Sequence, residues 1–209
     1  MESFFDRVAP VWPQGRRDLH WHLLPTLREA TALTQPYTAL TAQCGLYQVV
    51  PGRIHCTVLH AIGADVASRD VRDSIKRLVD DVTARVADVE PFTVTFGRAE
   101  VGNVAIEACG WPGRPHRILT ERVLSAHQAI WSDTYRLSPS RYPHASLAYT
   151  GEGAAAVDRA GLKAQLADIE GHHTVSMAVA RLHLVAQWHD GAHLMWDPIA
   201  EVPLAGVTA

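Results

Sequence analysis

The chain has 209 residues, of which 47% are hydrophobic and 20% charged, and a net charge of −3. That length suits one large domain or two small lobes around a real core, and the charge excludes a protein that holds nucleic acid through a global basic field, so any RNA contact is local or confined to an end or a short oligonucleotide. No run of 18 apolar residues marks a membrane span, the first residues lack the basic and apolar regions of a secretory signal, and the three scattered cysteines, Cys44, Cys56 and Cys109, point to a reducing cytoplasm.

Residues 1–16, with Pro10, Pro13 and Gly15, read as an arm without strong period. Residues 19–24 predict a first strand, with Leu19, Trp21 and Leu23 on one face and His20, His22 and Leu24 on the other. Residues 26–42 are rich in Ala and Leu and predict a helix, interrupted at Pro36. A strand over 46–50 leads into the stretch Arg53-Ile54-His55-Cys56-Thr57-Val58-Leu59. Val71, Ile75, Leu78, Val79, Val82 and Val86 then form a helical stripe, with Ser68 as N-cap. Residues 92–96 and 103–108 predict two strands, joined as a hairpin through 97–102. After the break at Trp111-Pro112-Gly113 a helix starts near Pro115. The turn Ser138-Pro139-Ser140 precedes a second stretch, Arg141-Tyr142-Pro143-His144-Ala145-Ser146-Leu147. A helix over 154–169 follows. Two strands come next, of opposite parity about a bend near Ala180-Arg181, and a last one covers 194–196.

The two quoted stretches share one pattern: His, any residue, hydroxyl residue, apolar residue. Their histidines lie 89 positions apart, one in each half of the chain. On strands, His55 and Thr57 project to one face, as do His144 and Ser146. Side by side, such strands converge two imidazoles and two hydroxyls. One imidazole can take a proton while the other gives one, and the hydroxyls can hold an anionic oxygen. This is equipment for acid–base chemistry on a phosphodiester without a metal or other cofactor.

The doubled H-x-[S/T]-apolar motif resembles that of the 2H phosphoesterase superfamily, which includes the 2′-5′ RNA ligase-like proteins and the RNA 2′,3′-cyclic phosphodiesterases. Ser146 stands where that family more often has Thr, and Leu59-His60-Ala61-Ile62-Gly63 replaces its larger apolar run. The resemblance covers roughly residues 17–204. It implies an α+β fold, bilobal with a pseudo-two-fold: two mostly antiparallel sheets around a central cleft, helices outside. The chain would then be one unit over 1–209, with the arm at 1–16 and pseudo-repeat halves at 17–110 and 111–209. The implied activity is hydrolysis of a 2′,3′-cyclic phosphate or a 2′-5′-linked nucleotide, with His144 activating water and His55 as the acid. Ligation is the same chemistry reversed, with a 5′-hydroxyl in place of water. The implied partner is an RNA end or nucleotide, not DNA or a membrane. Two alternatives stand beside this reading: a 2H enzyme for another small cyclic phosphoester, and a module that binds phosphate-ended RNA without turnover.

Further residues are candidates for substrate binding. Arg53 and Arg141 precede the motif histidines, though the plainer reading of each is a solvated surface charge. Tyr142 and Tyr149 are able to stack a base or to pack at the rim. His20 and His22 share a face that a first strand near the cleft would bring to the site. His60 reads as lying past the pocket, and Cys56 as a buried packing residue. His172, His173, His183, His189 and His193 crowd the C-terminal third, yet no ligand spacing typical of zinc stands out. Neither a G-x-S-x-G nor a Cys–His signature is present.

Overall fold

A computed structural model describes residues 1–171 and 173–205. The arm contains a short helix, α1 (Phe4–Val8), whose cap Ser3 accepts from the Asp6 N–H at 3.2 Å. In β1 (Asp18–Leu23) the expected alternation places Leu19, Trp21 and Leu23 in the core. His20 and His22 on the opposite face are buried as well, because Trp12 of the arm packs over His20 and Trp196 approaches His22. The Ala- and Leu-rich stretch breaks at Pro36 into α2 (Leu27–Thr34) and α3 (Thr38–Thr41). Thr26 and Glu29 close a capping box at its start. β2 (Leu46–Gln48) and β3 (Cys56–Asp65) lead to α4 (Arg69–Val86), whose stripe of Val71, Leu78, Val82 and Val86 is buried. Ser68 stands at its N-cap without a side-chain cap bond.

β4 (Phe92–Val101) and β5 (Ala105–Trp111) form the expected hairpin, but with a much shorter connection. The chain from Gly97 onward stays in the ladder because a register shift between Phe96 and Ala99 absorbs the irregularity. Gly97 eases the packing there, since a Cβ would lie 3.0 Å from the Trp111 ring. α5 (Gly113–Trp131), β6 (Arg136–Pro139) and β7 (His144–Thr150) follow. α6 (Arg159–Asp168) is shorter than the sequence suggests, since Ala154–Ala156 makes a 3-10 turn and Asp158 caps a fresh helix start. β8 (Val175–Val179), β9 (Arg181–His189) and β10 (Leu194–Pro203) end the fold.

The sheet order is β10-β9-β1-β3-β7-β5-β4-β8, every pairing antiparallel, with β6 on β3 and β2 on β7. This gives two lobes, β10-β9-β1-β3-β6 and β2-β7-β5-β4-β8. The two expected sheets are joined, because β3 and β7 meet through one ladder pair, Cys56 with Ala145. The lobes do not coincide with the two halves of the chain. β4 of the first half pairs with β5 and closes on the second motif strand's side, while β9 of the second half pairs with β1. The bend at Ala180 is the point where the chain leaves β8 in one lobe and enters β9 in the other.

Candidate active site

The Cys56–Ala145 pair joins the middle residues of the two motifs. Antiparallel register about that pair sets His55 across from Ser146 and Thr57 across from His144. Cys56 and Ala145 face inward and are each 1% exposed. Burial in that apolar setting pushes the Cys56 thiol up to about 12, so it packs and carries no thiolate. The alternate positions face outward, and His55, Thr57, His144 and Ser146 line one cleft of about 390 Å³.

Both imidazoles are held in the same way. His55 Nδ1 lies 2.9 Å from the Arg53 carbonyl, and His144 Nδ1 lies 3.1 Å from the Tyr142 carbonyl. A carbonyl only accepts, so Nδ1 carries the proton in each ring and Nε2 is the nitrogen left for chemistry. The two differ in burial. His55 is 7% exposed and stacks on His22, ring centroids 4.2 Å apart, whereas His144 is half-buried. Burial lowers the His55 pKa to about 4, against a smaller upward pull from the Arg53 carbonyl, with the His144 charge lowering it further.

A register shift occurs at the same place in both motif strands. Val58 is unpaired between Thr57, opposite His22, and Leu59, opposite Trp21. Leu147 is unpaired between Ser146, opposite Glu107, and Ala148, opposite Ile106. These are β-bulges at the apolar position of each motif, and each reverses the parity beyond it. His60 and Tyr149, five residues after the motif histidines, therefore turn onto the cleft face. The expectation that His60 lies past the pocket is corrected by this shift. The bulges are pinned by their own bonds: Val58 C=O accepts from Ser140 N–H (3.0 Å) and Leu147 C=O from Val49 N–H (2.8 Å). His116 of α5 donates Nε2–H to the Thr57 carbonyl at 3.0 Å.

The structure separates the remaining candidates. His20 lines the cleft, stacked on His60 at 3.8 Å, while His22 lies behind His55. His60 Nε2 meets Asp18 Oδ2 at 3.1 Å. Burial pushes the Asp18 carboxyl up, but bonds from His60, Arg16 and the Gly63 N–H outweigh it and hold the pKa below the usual value. Tyr149 lines the cleft and is buried beside Phe4. Tyr142 sits at the rim, its ring 5.2 Å from His144 and its hydroxyl donating to Glu107 Oε1 at 2.9 Å. Arg53 turns away: its guanidinium donates to the Trp196 carbonyl at 2.7 Å and lines a neighbouring cavity of about 220 Å³ that shares Tyr149 and Leu194 with the cleft. Arg141 is exposed and is not among the cleft's lining residues. Among the described residues no Lys or Arg lines the cleft.

Of the C-terminal histidines, His172 lies outside the described residues. His173 packs on Tyr37, His189 donates to the Trp12 carbonyl at 2.8 Å, and His183 and His193 each approach a separate carboxylate, Glu201 and Asp190. Among the described residues no three His, Cys, Asp or Glu are placed to hold a metal ion, and no helix is long and apolar enough to cross a membrane. Sequence reasoning missed the arm's Phe4, Val8, Val11 and Trp12, which form one wall of the cleft, together with Glu107 and Gln187. Neither the bulges nor the arm's packing carried a local signal in the sequence.

No protein-family model and no curated protein matches the chain by sequence. Solved structures match it by shape. E. coli LigT, solved in complex with 3′-AMP, is 14% identical with a TM-score of 0.62 over 91% of this chain and 99% of that one. TT0787 of Thermus thermophilus is 16% identical with a TM-score of 0.66 over 91% and 99%. A structure described as a phosphoesterase is 15% identical with a TM-score of 0.63 over 90% and 99%. At such identities the likeness is one of fold, and with a doubled motif on its two central strands the chain has the 2H phosphoesterase fold.

Proposed function

We propose that the chain is a phosphodiesterase that opens a 2′,3′-cyclic phosphate or cleaves a 2′-5′ linkage at an RNA end or in a small nucleotide, with both proton transfers made by histidine. One observation supports this reading: the two motif imidazoles and two motif hydroxyls line one cleft, and the Cys56–Ala145 pairing sets each histidine across from the other strand's hydroxyl. E. coli LigT has been solved with 3′-AMP and with phosphate, which supports a nucleotide phosphoester as the occupant here.

Thr57 and Ser146 donate to non-bridging oxygens and stabilise the five-coordinate transition state. One Nε2 removes a proton from water as the water oxygen bonds to phosphorus. The other protonates the ribose oxygen as its bond to phosphorus breaks. Burial supports His55 as the base, since it rests neutral with Nε2 free, and the half-buried His144 as the acid. This division reverses the one implied by the family resemblance.

Turnover of 2′,3′-cyclic mononucleotides before and after dialysis against EDTA tests the reading. The expected result is equal turnover in both, and a loss of about 100-fold or more in His55→Ala and in His144→Ala. Binding without turnover would leave a binding module. Activity lost to EDTA and restored by zinc would end the two-histidine mechanism.

A further inference from the structure

Residues 1–16 bridge the two lobes across the cleft. At one end Phe4 packs on Tyr149, ring centroids 4.5 Å apart, and its N–H donates to Thr150 Oγ1 at 3.2 Å. The Glu2 N–H donates to the Asn103 carbonyl at 3.2 Å. At the other end Trp12 packs on His60 at 4.9 Å and on His189 at 5.0 Å. There the Gly15 N–H donates to the His189 carbonyl at 2.9 Å, and Arg16 pairs with Asp18 at 2.8 Å. The strap thus rests Phe4 on Tyr149 and Trp12 on His60, the residues that the two bulges turn onto the cleft. Between these anchors Val8 and Val11 line the same cleft as the catalytic pair, and Val11 is 41% exposed.

The cleft's polar side offers an anion the motif hydroxyls and imidazoles, with Ser138, Ser140, His20 and His60 beside them, and no Lys or Arg among its described lining residues. Glu107 even brings a carboxylate. An anion by itself is therefore held weakly, and binding energy must come from the group esterified to it. The surface available for that group is apolar: Val8 and Val11 of the strap, Ile62, Val104 and Leu194.

We propose that the strap determines specificity, with Val8 and Val11 seating the flat, largely apolar face of the nucleoside whose phosphate lies between His55 and His144. This rests on the reading of the site as a nucleotide phosphodiesterase. The strap selects organic phosphoesters over inorganic phosphate, and it contributes through binding, not through proton transfer.

The test compares wild type with a Val8→Asn, Val11→Asn double variant. These substitutions add polarity without charge and leave the anchors Phe4 and Trp12 intact; near-UV circular dichroism checks the fold. Dissociation constants are measured for inorganic phosphate and for a nucleoside 3′-monophosphate, alongside turnover of a cyclic nucleotide. Wild type should prefer the nucleotide. The double variant should bind it about tenfold more weakly, or about 1.4 kcal/mol, raise KM by the same factor with kcat within about twofold, and leave phosphate binding unchanged. Equal affinity of wild type for the two ligands, or an unchanged nucleotide affinity in the variant, overturns the strap's role while leaving the catalytic reading intact. Phosphate affinity falling in step with nucleotide affinity also overturns it, since the strap would then act only by supporting the catalytic groups. Loss of nucleotide preference in a protein that never turns substrate over would sink the phosphodiesterase and keep the strap.

Discussion

Because His55 and His144 each give their Nδ1 proton to a backbone carbonyl, their tautomers are alike and their exposure is what separates them. A base must be neutral and an acid protonated, so activity falls as pH drops through the base's pKa and as pH rises through the acid's. The acidic limb of kcat/KM should therefore lie near 4, the value to which burial lowers His55. A single limb near 6.5 with none below it would remove His55 from the proton-transfer pair. The roles separate on a phosphodiester with a nitrophenyl leaving group, which departs without a proton. On that ester His144→Ala should regain most of its lost rate and His55→Ala should not; the opposite pattern restores the division that the family resemblance implies. Thr57→Val and Ser146→Ala each remove one donor to the transition-state oxygens and should lower kcat roughly 10- to 1,000-fold, seen in steady-state rates at saturating substrate. A loss confined to KM would make the hydroxyls ground-state contacts only.

The elements that carry these residues are set by irregularities as much as by periodicity. Where the Val58 bulge interrupts the ladder, the Thr57 carbonyl takes its hydrogen bond from His116 of α5. His116→Phe keeps an aromatic ring, though a larger one, but strands that buried carbonyl, and should cost about 1–3 kcal/mol in urea unfolding, with a lower kcat as Thr57 loosens. His116→Gln, which keeps a donor, should recover part of both. Equal loss in the two variants would mean that α5 acts through packing alone. The alternation of His55 with Thr57 and of His144 with Ser146, the stripe of α4 and the break at Pro36 were legible in the sequence because each is a local period. The turn of His60 and Tyr149 onto the cleft was not, because it needs one unpaired residue in each strand, and nothing local in Val58 or Leu147 distinguishes a bulge from a regular strand residue. Arg53 was a candidate for phosphate contact on parity alone, and parity could not show that the Trp196 carbonyl, 143 residues away, claims its guanidinium.

At the scale of the molecule, the fold leaves six imidazoles buried among the described residues: His20, His22, His55, His116, His127 and His189. The arm's burial of His20 was invisible to any pattern within residues 1–16, since its partners lie on β1, β3 and β9. Burial lowers the pKa of His20, His22, His55, His60, His116 and His127, in His55 to about 4 and in His127 to about 3. His127 is committed to its neutral form, because its Nε2 accepts from Trp21 Nε1–H at 2.9 Å. In the unfolded chain these rings titrate near 6.5, so between that pH and their folded values the unfolded state binds more protons. Stability is then fully present above about pH 6.5 and is lost as pH falls. The shift of His55 alone corresponds to roughly 3 kcal/mol at 1.36 kcal/mol per unit, a sizeable share of the 5–15 kcal/mol typical of a domain. Asp18, whose pKa lies below the usual carboxylate value, contributes to acid lability only further down. The melting temperature should therefore fall steeply between pH 6.5 and 4, ahead of carboxylate titration, with acid unfolding accompanied by uptake of several protons in potentiometric titration. His127→Gln, which keeps an acceptor for Trp21 but cannot take up a proton in this range, should flatten that slope measurably. A melting temperature constant from pH 7 to 5 in the wild type would mean that the buried histidines titrate alike in the folded and unfolded chains, and the neutral state assigned to His55 would fall with them.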